Sequence, residues 1–578
     1  MHLLRADRIK SGLDTKVYRQ RKMGKVVLAG AGPGDTGLLT LKTYKYIREA
    51  DCLVYDRLMS PKLLELARTD CELIYVGKEN HKHVVNQDGI NEILFQKSKQ
   101  HELVLRLKGG DPYVFGRGGE EALYLTERGV PVEVVPGVSS SIAALADAGI
   151  PITHRGVAKG FQVITAHSRK DEEADIDYSL LTDETMTCVF LMGLQHVESI
   201  AAGLVRAGRR EDTPIAVISN GTLPTQNKCV GTFKNIGAKM KEAHLKSPAI
   251  IVAGDVVNMS DELDFFEKRP LFGRKFIVPY IEDMGGAEPQ NCDVSLMPVR
   301  FEAGALPQDM IRYGIQGYGN RIVSSLEDLG ADVLSLKVGR IHPMLVNDFE
   351  KQICGADWLI FTSKNGVKSF FYNMKCAGVD VRKLAGCKFA VVGKHTAEEL
   401  MKHNICPDFI PEIATGEGLA KEFVESILQL DNESDIENVA DKASVVNKNL
   451  GNDTHIKVCM FAAKEASTDV ESILGNHCDF HKITAYENIA LPISGDIFEP
   501  IMESDGRDIE AVFTSASNVK RLYQALPEQL VISKAYSIGE KTTGALKEQK
   551  AGQIIEAEEC SYEAILKEIL WTNILSQS

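Results

Sequence analysis

The stretch Lys25–Asp35, which reads KVVLAGAGPGD, decides the fold of the first half of this 578-residue chain. Its apolar beginning, Val26–Ala29, predicts a buried β-strand. The glycines that follow let the backbone come close to a ligand, because they carry no Cβ. The stretch therefore predicts a strand that ends in a functional turn, which is followed by Leu38–Leu41.

Strand-like runs alternate with helix-like stretches along nearly the whole chain. They include residues 52–55, 72–76, 103–107, 132–135, 162–165, 188–192 and 249–253, and later 276–279, 358–362, 389–392, 457–461, 511–514 and 535–538. Alternation of this kind predicts an α/β architecture with mostly parallel sheets.

The overall charge restricts the class of partner. The chain has 66 Lys and Arg against 80 Asp and Glu, a formal net charge of −14. This excess argues against nucleic acid or an anionic membrane as partner. An anionic small molecule would have to be bound by local basic groups, helix N-termini or backbone amides.

The cysteine pattern argues against a metal centre. None of the 12 cysteines forms a C-x-x-C pair, so we expect no metal. No secretory signal is visible and no window reaches 18 apolar residues, which predicts a cytoplasmic protein without a membrane span.

Three segments fall outside the regular pattern. Residues 1–23 are basic; we interpret them as an extension upstream of a natural start at Met23, and a disordered arm is the alternative. Residues 428–455 are polar and aperiodic, which predicts a surface excursion or insert. Residues 280–306 are also irregular and have no assigned role.

The glycine turn allows more than one interpretation. A dinucleotide-binding turn would place an acid such as Asp56 at the end of the second strand, for a ribose. However, Asp35 stands where that fingerprint needs glycine, and Pro33 lacks the N–H that a pyrophosphate would use. An NAD(P) oxidoreductase is therefore disfavoured, and a purely structural turn stays open.

The segment Gly30–Thr40 resembles the opening motif of the tetrapyrrole methylases. The similarity continues in order through residues 54–58, 75–78, 106–121, 135–140, 149–155, 192–193 and 220–222. The run 106–121, RLKGGDPYVFGRGGEE, is the most specific of them. Among the methylases, the pattern is most similar to the uroporphyrinogen-III C-methyltransferases.

The resemblance implies two α/β lobes, 24–136 and 137–260, with S-adenosylmethionine bound between them. Carried over motif by motif, the donor site would be lined by Pro33, Gly109, Gly110, Asp111, Val114, Ser139, Ser140, Met192 and Gly221. Ser139 and Ser140 could instead be helix N-caps. Methylases of this kind also imply a homodimer formed through this half.

The same resemblance implies roles at the acceptor. Asp56 would be the base and Lys78 the acid or a substrate contact, with Arg57 also binding substrate. Asp56 could instead be a strand-end carboxylate held by Arg57, or an N-cap, and Lys78 could be a solvated surface lysine. The acceptor has eight carboxylates, for which positive charge near the motifs is supplied by Lys42, Arg57, Lys78, Arg106, Lys108 and Arg117. Residues 79–83 depart from the family's glycine-containing stretch.

The second half contains a pseudo-repeat. Two Thr-Ser strand ends, in 361–367 and 513–519, alternate with two Gly-x-x-Thr turns, in 391–397 and 537–543. They predict two similar α/β lobes in which hydroxyls and helix N-termini bind carboxylates, or only cap helices. The candidate substrate-binding residues are Thr362, Ser363, Thr396, Ser515 and Thr542.

This pattern resembles the uroporphyrinogen-III synthases. The resemblance implies a discontinuous lobe, 271–340 with 488–578, around a second lobe with its linkers, 341–487. Short strands near 338–341 and 483–489 would join them, and Tyr486 would assist loss of hydroxide from hydroxymethylbilane. A packed linker tyrosine is the alternative. The family's Thr-Arg after its first strand is replaced by Pro279-Tyr280.

Together the resemblances imply one fused enzyme. The synthase would make uroporphyrinogen III, and the methyltransferase would convert it to precorrin-2, towards siroheme or cobalamin. Alternatives are a non-catalytic, acid-binding second half and a different corrin precursor as acceptor. We expect no oxidation or iron-insertion activity.

Overall fold

The computed structural model describes residues 23–68, 70–77, 86–166, 175–284, 321–428, 456–498, 501 and 508–577. The chain divides into two compact units, the first ending at Gly273 and the second beginning at Arg274. The predicted extension 1–23 and the irregular stretches 280–306 and 428–455 lie almost entirely outside the described residues. The domain boundaries within each unit stay a prediction.

The first sheet of the first unit is fully parallel, in the order β3-β2-β4-β1-β5. Its strands are β1 (Lys25–Gly30), β2 (Cys52–Tyr55), β3 (Glu72–Tyr75), β4 (Leu103–Lys108) and β5 (Val132–Val135). Its helices are α1 (Leu41–Glu49), α2 (Gln87–Ser98) and α3 (Gly118–Thr126). Residues 26–29 of the central β1 are wholly buried, since a parallel strand covered on both faces is apolar throughout.

The second sheet of this unit has the order β6-β7-β10-β8-β9. Its strands are β6 (Gly160–Thr165), β7 (Met186–Leu191), β8 (Pro214–Ser219), β9 (Asn227–Thr232) and β10 (Ala249–Ala253), with helices α4 (Ser140–Asp147), α5 (Val197–Ala207), α6 (Ile236–Glu242) and α7 (Ser260–Leu263). Only β6 and β7 pair in parallel. The expectation of parallel strands is therefore wrong for this sheet. One reason is that the short link 220–226 cannot cross over, so β8 and β9 form an antiparallel pair.

The second unit is built on one nine-stranded sheet, in the order β14-β13-β15-β16-β12-β11-β17-β18-β19. The strands are β11 (Lys275–Glu282), β12 (Asp332–Pro343), β13 (Trp358–Phe361), β14 (Lys388–Val391), β15 (Lys457–Ala463), β16 (Asp479–Ala490), β17 (Ile509–Phe513), β18 (Ile532–Ser537) and β19 (Gln553–Glu556). All neighbours pair in parallel except β12 and β16, where 339–343 runs against 486–490. This antiparallel pair joins two parallel halves, close to where the sequence predicted linking strands.

The helices of the second unit repeat the same local geometry in both halves. They are α8 (Arg321–Asp328), α9 (Phe349–Ile353), α10 (Lys364–Ala377), α11 (Lys394–Met401), α12 (Gly416–Phe423), α13 (Asp469–Leu474), α14 (Ala516–Ala525), α15 (Glu540–Glu548) and α16 (Tyr562–Gln577). Ser363 caps α10 and Ser515 caps α14 with nearly identical extended dihedrals. Gly393 and Gly539 precede α11 and α15 in the same way. The structure thus confirms the fold class: mixed α/β, rich in parallel sheets, with two similar halves in this unit.

Aromatic side chains fill the core beneath α10. Phe370 is wholly buried, and its ring centroid lies 5.4 Å from that of Phe361 and 4.9 Å from that of Phe461.

In the described part of the chain, no helix is both long and apolar enough to cross a membrane.

Replacing Phe370 by alanine removes the central ring of this cluster. We expect Phe370→Ala to lower the free energy of unfolding of the second unit by about 3–5 kcal/mol, because it leaves a cavity in a packed core. Both tryptophans of the chain, Trp358 and Trp571, lie in this unit, so tryptophan fluorescence during urea unfolding reports on it. Tyr372→Ala is the matched control, since Tyr372 lies on the same helix but is 41% exposed; an equal loss in the control would contradict the cavity argument.

Candidate active sites

Three glycines bring the carboxyl ends of β1, β4 and β5 into contact. A Cβ on Gly30 would lie 2.5 Å from the carbonyl oxygen of Gly110 and 2.5 Å from the Cα of Gly137. A Cβ on Gly137 would lie 2.2 Å from the same oxygen. The amide of Gly110 also donates to the carbonyl of Gly32 at 2.7 Å. No other residue fits at Gly30 or Gly137, and we call this contact the glycine crossing.

Several predicted donor-site residues surround the glycine crossing. The Asp111 carboxylate accepts hydrogen bonds from the amides of Gly137 at 3.0 Å and Tyr113 at 2.8 Å. The Cβ position of Gly110 lies 4.0 Å from the amide nitrogen of Ser140. Ser139 caps α4, and its Oγ accepts from the amide of Ser141. The capping alternative is therefore the observed geometry for Ser139.

The turn after β8 approaches the same region from the second sheet. The amide of Asp35 donates to Thr222 Oγ1 at 3.3 Å, and a Cβ on Gly34 would lie 2.9 Å from the Leu223 side chain. A Cβ on Gly221 would lie 2.3 Å from the Cβ of Ala144, on α4. These contacts bring the loop that contains Pro33 next to the turn that contains Gly221.

Met192 and Val114 are exposed. Met192 follows β7, which is separated from β8 by β10, and it is half exposed. Val114 is also exposed, in the turn after Asp111, where its amide donates to the Asp111 carbonyl at 3.3 Å. The structure thus groups most, but not all, of the predicted donor residues.

Left-handed backbone conformations coincide with the motifs. Non-glycine residues with positive φ include Phe115 (53°), Arg117 (59°), Met192 (59°), Asn220 (50°) and Thr222 (71°). Such strain costs about 1–3 kcal/mol per residue and concentrates at functional sites. Thr222, which is β-branched, is the least expected of them. Sequence reasoning did not select Thr222, although it stands next to Gly221.

Asp56 follows β2 and is held by two donors. Its Oδ2 accepts from Arg106 Nη2 at 3.0 Å, and its Oδ1 accepts from the amide of Leu58 at 3.1 Å. The side chain is 24% exposed. The idea that Arg57 holds this carboxylate is wrong: Arg57 is exposed and Arg106 is the partner. Lys78 lies outside the described residues.

Arg106 belongs to a buried charge cluster with Lys108 and Glu121. Glu121 is fully buried, and its Oε1 accepts from Lys108 Nζ at 2.8 Å and lies 3.5 Å from Arg106 Nε. Burial and the Arg106 charge lower the pKa of Lys108, and Glu121 opposes this shift. Both cations are therefore paired with carboxylates inside the protein. This corrects the expectation that they supply positive charge to the substrate. Sequence reasoning missed Glu121, whose only signal was its place in the 106–121 motif.

Two further predicted cations of this unit, Lys42 and Arg117, also have partners. Lys42 lies 2.5 Å from Glu133, and Arg117 lies 2.7 Å from Glu120. Lys42 and Arg117 have side chains that are 58% and 55% exposed, so they stay accessible at the surface.

In the second unit, Tyr486 lies near the end of β16 and is 7% exposed. Its hydroxyl lies 2.8 Å from Ser363 Oγ, which also accepts from the amide of Gly366. Burial raises the pKa of Tyr486, and the hydrogen bond with Ser363 opposes the rise. The structure thus joins two of the residues predicted for this half.

The other hydroxyls predicted for this half are placed at helix starts. Ser515 caps α14 through the amide of Asn518, and its Oγ lies 3.1 Å from Ser517 Oγ. Thr396 and Thr542 lie in the first turns of α11 and α15 and are 5% and 3% exposed. Thr362 is partly buried between β13 and Ser363. Thr362, Ser363 and Ser515 are thus more accessible than the buried Thr396 and Thr542.

Asp147 lies at the end of α4 in the first unit and provides a test of how this helix is packed. Burial and the charge of Asp35 raise the pKa of Asp147 to about 6, against the attraction of Arg269. The folded protein therefore keeps this proton between pH 4 and pH 6, while the unfolded chain loses it, so stability falls as pH rises through this window.

We expect Asp147→Asn to remove this loss of folding stability with rising pH. At pH 7 the variant should be more stable by about 1–2 kcal/mol, a value reduced for partial solvent screening. The measurement is scanning calorimetry at pH 4.5 and pH 7, following the transition that Phe370→Ala leaves unchanged. Asp212→Asn, whose side chain is 76% exposed, is the control; an equal gain in both variants would argue against a buried Asp147.

Comparisons with known proteins match a different family in each unit. Residues 25–237 match the model of the Tetrapyrrole (Corrin/Porphyrin) Methylases, and residues 320–567 match that of Uroporphyrinogen-III synthase HemD. The Porphyrin biosynthesis protein HemD of Ruminiclostridium josui is 34% identical over 95% of this chain and 98% of its own length. The Uroporphyrinogen-III C-methyltransferase of Methanocaldococcus jannaschii is 48% identical over 41% of this chain and 98% of its own.

Among solved structures, Uroporphyrin-III C-methyl transferase from Thermus thermophilus, complexed with S-adenyl homocysteine, is 39% identical. It covers 41% of this chain and 99% of its own, with a TM-score of 0.36. On its family matches and its full-length relative, the chain belongs to the tetrapyrrole methylases in its first part and to the uroporphyrinogen-III synthase family in its second.

Proposed function

We propose that this chain makes uroporphyrinogen III in its second unit and methylates it in its first. The second unit would close hydroxymethylbilane with inversion of ring D. The first would transfer two methyl groups from S-adenosylmethionine to give precorrin-2, on the branch towards siroheme and cobalamin. The observation that carries the proposal is that each site lies inside the matching family region, the glycine crossing within 25–237 and the Tyr486–Ser363 pair within 320–567.

The glycine crossing fits a cationic methyl donor. S-adenosylmethionine supplies an electrophilic methyl carbon when bound, next to a positively charged sulfur. Gly30, Gly110 and Gly137 offer backbone without side chains, and the buried cations nearby are balanced by Asp56 and Glu121. Pro33, Gly109, Asp111, Val114, Ser139, Ser140, Met192 and Gly221 would complete the donor site. No step of this scheme requires a metal.

In this proposal Asp56 takes up a proton from the methylated ring. Arg106 and the Leu58 amide hold one oxygen each, so the carboxylate is fixed in position. Arg57 is exposed beside it and can pair with an acceptor carboxylate. Alignment of acceptor and donor is the main demand of such a displacement, and this rigid support serves it.

In this proposal Tyr486 donates a proton to the departing hydroxide. Burial keeps its phenol protonated at neutral pH, and Ser363 orients the hydroxyl. Thr362, Thr396, Ser515 and Thr542 would contribute polar groups to the same substrate. Both reactions would take place in the cytoplasm, and the chain would form a homodimer through the first unit.

Supplying hydroxymethylbilane and S-adenosylmethionine to the purified full chain tests both activities. Products are followed by absorbance and mass, with isomers separated by chromatography. A type III product with two added methyl groups is expected. If uroporphyrinogen I is the only product, the synthase assignment is wrong, and the second unit would be a non-catalytic, acid-binding domain. If added uroporphyrinogen III gains no methyl group, the methyltransferase assignment is wrong.

Asp56→Asn keeps the size of the side chain but removes the base. We expect kcat for methyl transfer to fall by about 10²–10⁴-fold, the range for a general base, with little change in KM. Asp70→Asn is the control, because Asp70 is an exposed carboxylate paired with Arg68. Formation of uroporphyrinogen III by the same variant should be unchanged, which separates the two activities.

Tyr486→Phe removes only the proposed donor hydroxyl. We expect the rate of type III formation to fall by about 10²-fold or more, so that spontaneous closure to uroporphyrinogen I dominates. Tyr523→Phe is a matched control, since Tyr523 is in the same unit and its buried hydroxyl has no hydrogen-bond partner among the described residues. Full synthase activity in Tyr486→Phe would rule out this role.

A further inference from the structure

An acidic side chain connects the two halves of the second unit. Asp283 directly follows β11, and its Oδ2 lies 2.8 Å from Lys368 Nζ and 3.0 Å from Lys364 Nζ. Both lysines belong to α10, which follows β13 in the other half of the sheet. Two ammonium groups thus share one carboxylate, and the group carries one net positive charge.

The two lysines hold this carboxylate firmly. Burial alone would raise the pKa of Asp283, yet the hydrogen bond from Lys368 and the charge of Lys364 lower it overall. Asp283 Oδ1 is buried and has no hydrogen-bond partner among the described residues. Asp283 is therefore ionised, but only one of its two oxygens is used.

This ion pair lies beside the synthase site. Ser363, which contacts the Tyr486 hydroxyl at 2.8 Å, directly precedes Lys364. Lys368 follows one helical turn later, on the same face as Lys364. The other groups predicted to bind substrate in this unit, such as Thr362 and Ser515, carry no charge. These two lysines therefore add positive charge beside the Tyr486–Ser363 pair.

We propose that Lys364 and Lys368 form a binding site for a carboxylate of the linear tetrapyrrole, and that Asp283 occupies this site as an internal stand-in until the substrate displaces it. The proposal rests on the synthase activity proposed above and identifies how the substrate charge is recognised. A chain with 80 acidic and 66 basic residues needs such local cations for an anionic substrate. The bound Asp283 carboxylate shows that the two ammonium groups are spaced for this kind of ligand.

The proposal predicts opposite effects from the two sides of one ion pair. Asp283→Asn removes the competing anion, so KM for hydroxymethylbilane should fall by about threefold to tenfold, a change on the order of 1 kcal/mol. Lys368→Met and Lys364→Met should each raise KM by about tenfold. In all three variants kcat should stay within about twofold, because none of these groups reaches the reacting atoms.

A structural ion pair would behave differently, because losing either partner would then act in the same direction. The controls are Asp348→Asn and Lys351→Met, which break an exposed Asp–Lys pair in the same unit and should leave KM unchanged. Lys368→Arg keeps the charge and should retain a KM close to that of the unchanged protein. Tryptophan fluorescence confirms that each variant is folded.

Two failures can be told apart. If the unchanged protein forms type III product but Asp283→Asn leaves KM unchanged, or raises it as the lysine variants do, the stand-in role is wrong and the proposed function survives. If the unchanged protein forms no type III product from hydroxymethylbilane, the synthase function fails and this inference fails with it.

Discussion

The first unit depends on a backbone contact that only glycine permits. Gly30, Gly110 and Gly137 bring the ends of three parallel strands closer together than any side chain allows. Because of that contact, the loops after β1, β4 and β5 meet in one place and present amides and carbonyls to a ligand. The Asp111 carboxylate then ties the loops together through the Gly137 amide. Under the proposed function the methyl donor would bind there, where the crossing offers backbone without side chains.

Charge is used in opposite ways in the two units. In the first, Arg106 and Lys108 are buried and balanced by Asp56 and Glu121, so they support the site and do not face the solvent. A buried charge is tolerated only when it is paired, and removing one partner leaves the other unbalanced. In the second unit, the lysines that pair with Asp283 are partly exposed and can exchange that carboxylate for another.

The antiparallel pair of β12 and β16 determines where the second site forms. Each strand pairs in parallel with one half of the sheet along its first part and antiparallel with the other strand along its last. Tyr486 lies opposite Pro343 in this register, at the junction of the two halves. A shift by one residue would turn its hydroxyl to the other face of the sheet, away from Ser363.

The sequence by itself determined the fold class, the family and the order of the motifs, because alternating apolar runs and glycine turns are local patterns. It also placed Tyr486 and Ser363 among the candidates for one site, a pairing that the structure then brought into contact. Only the tertiary structure decided which charges are free. Arg106 and Lys108 looked like substrate contacts, and Glu121 looked unremarkable, since burial and pairing depend on strands that are distant in the sequence. The antiparallel pairing in the second sheet of the first unit likewise depends on short connections between its strands, and the periodicity of apolar residues does not reveal strand direction.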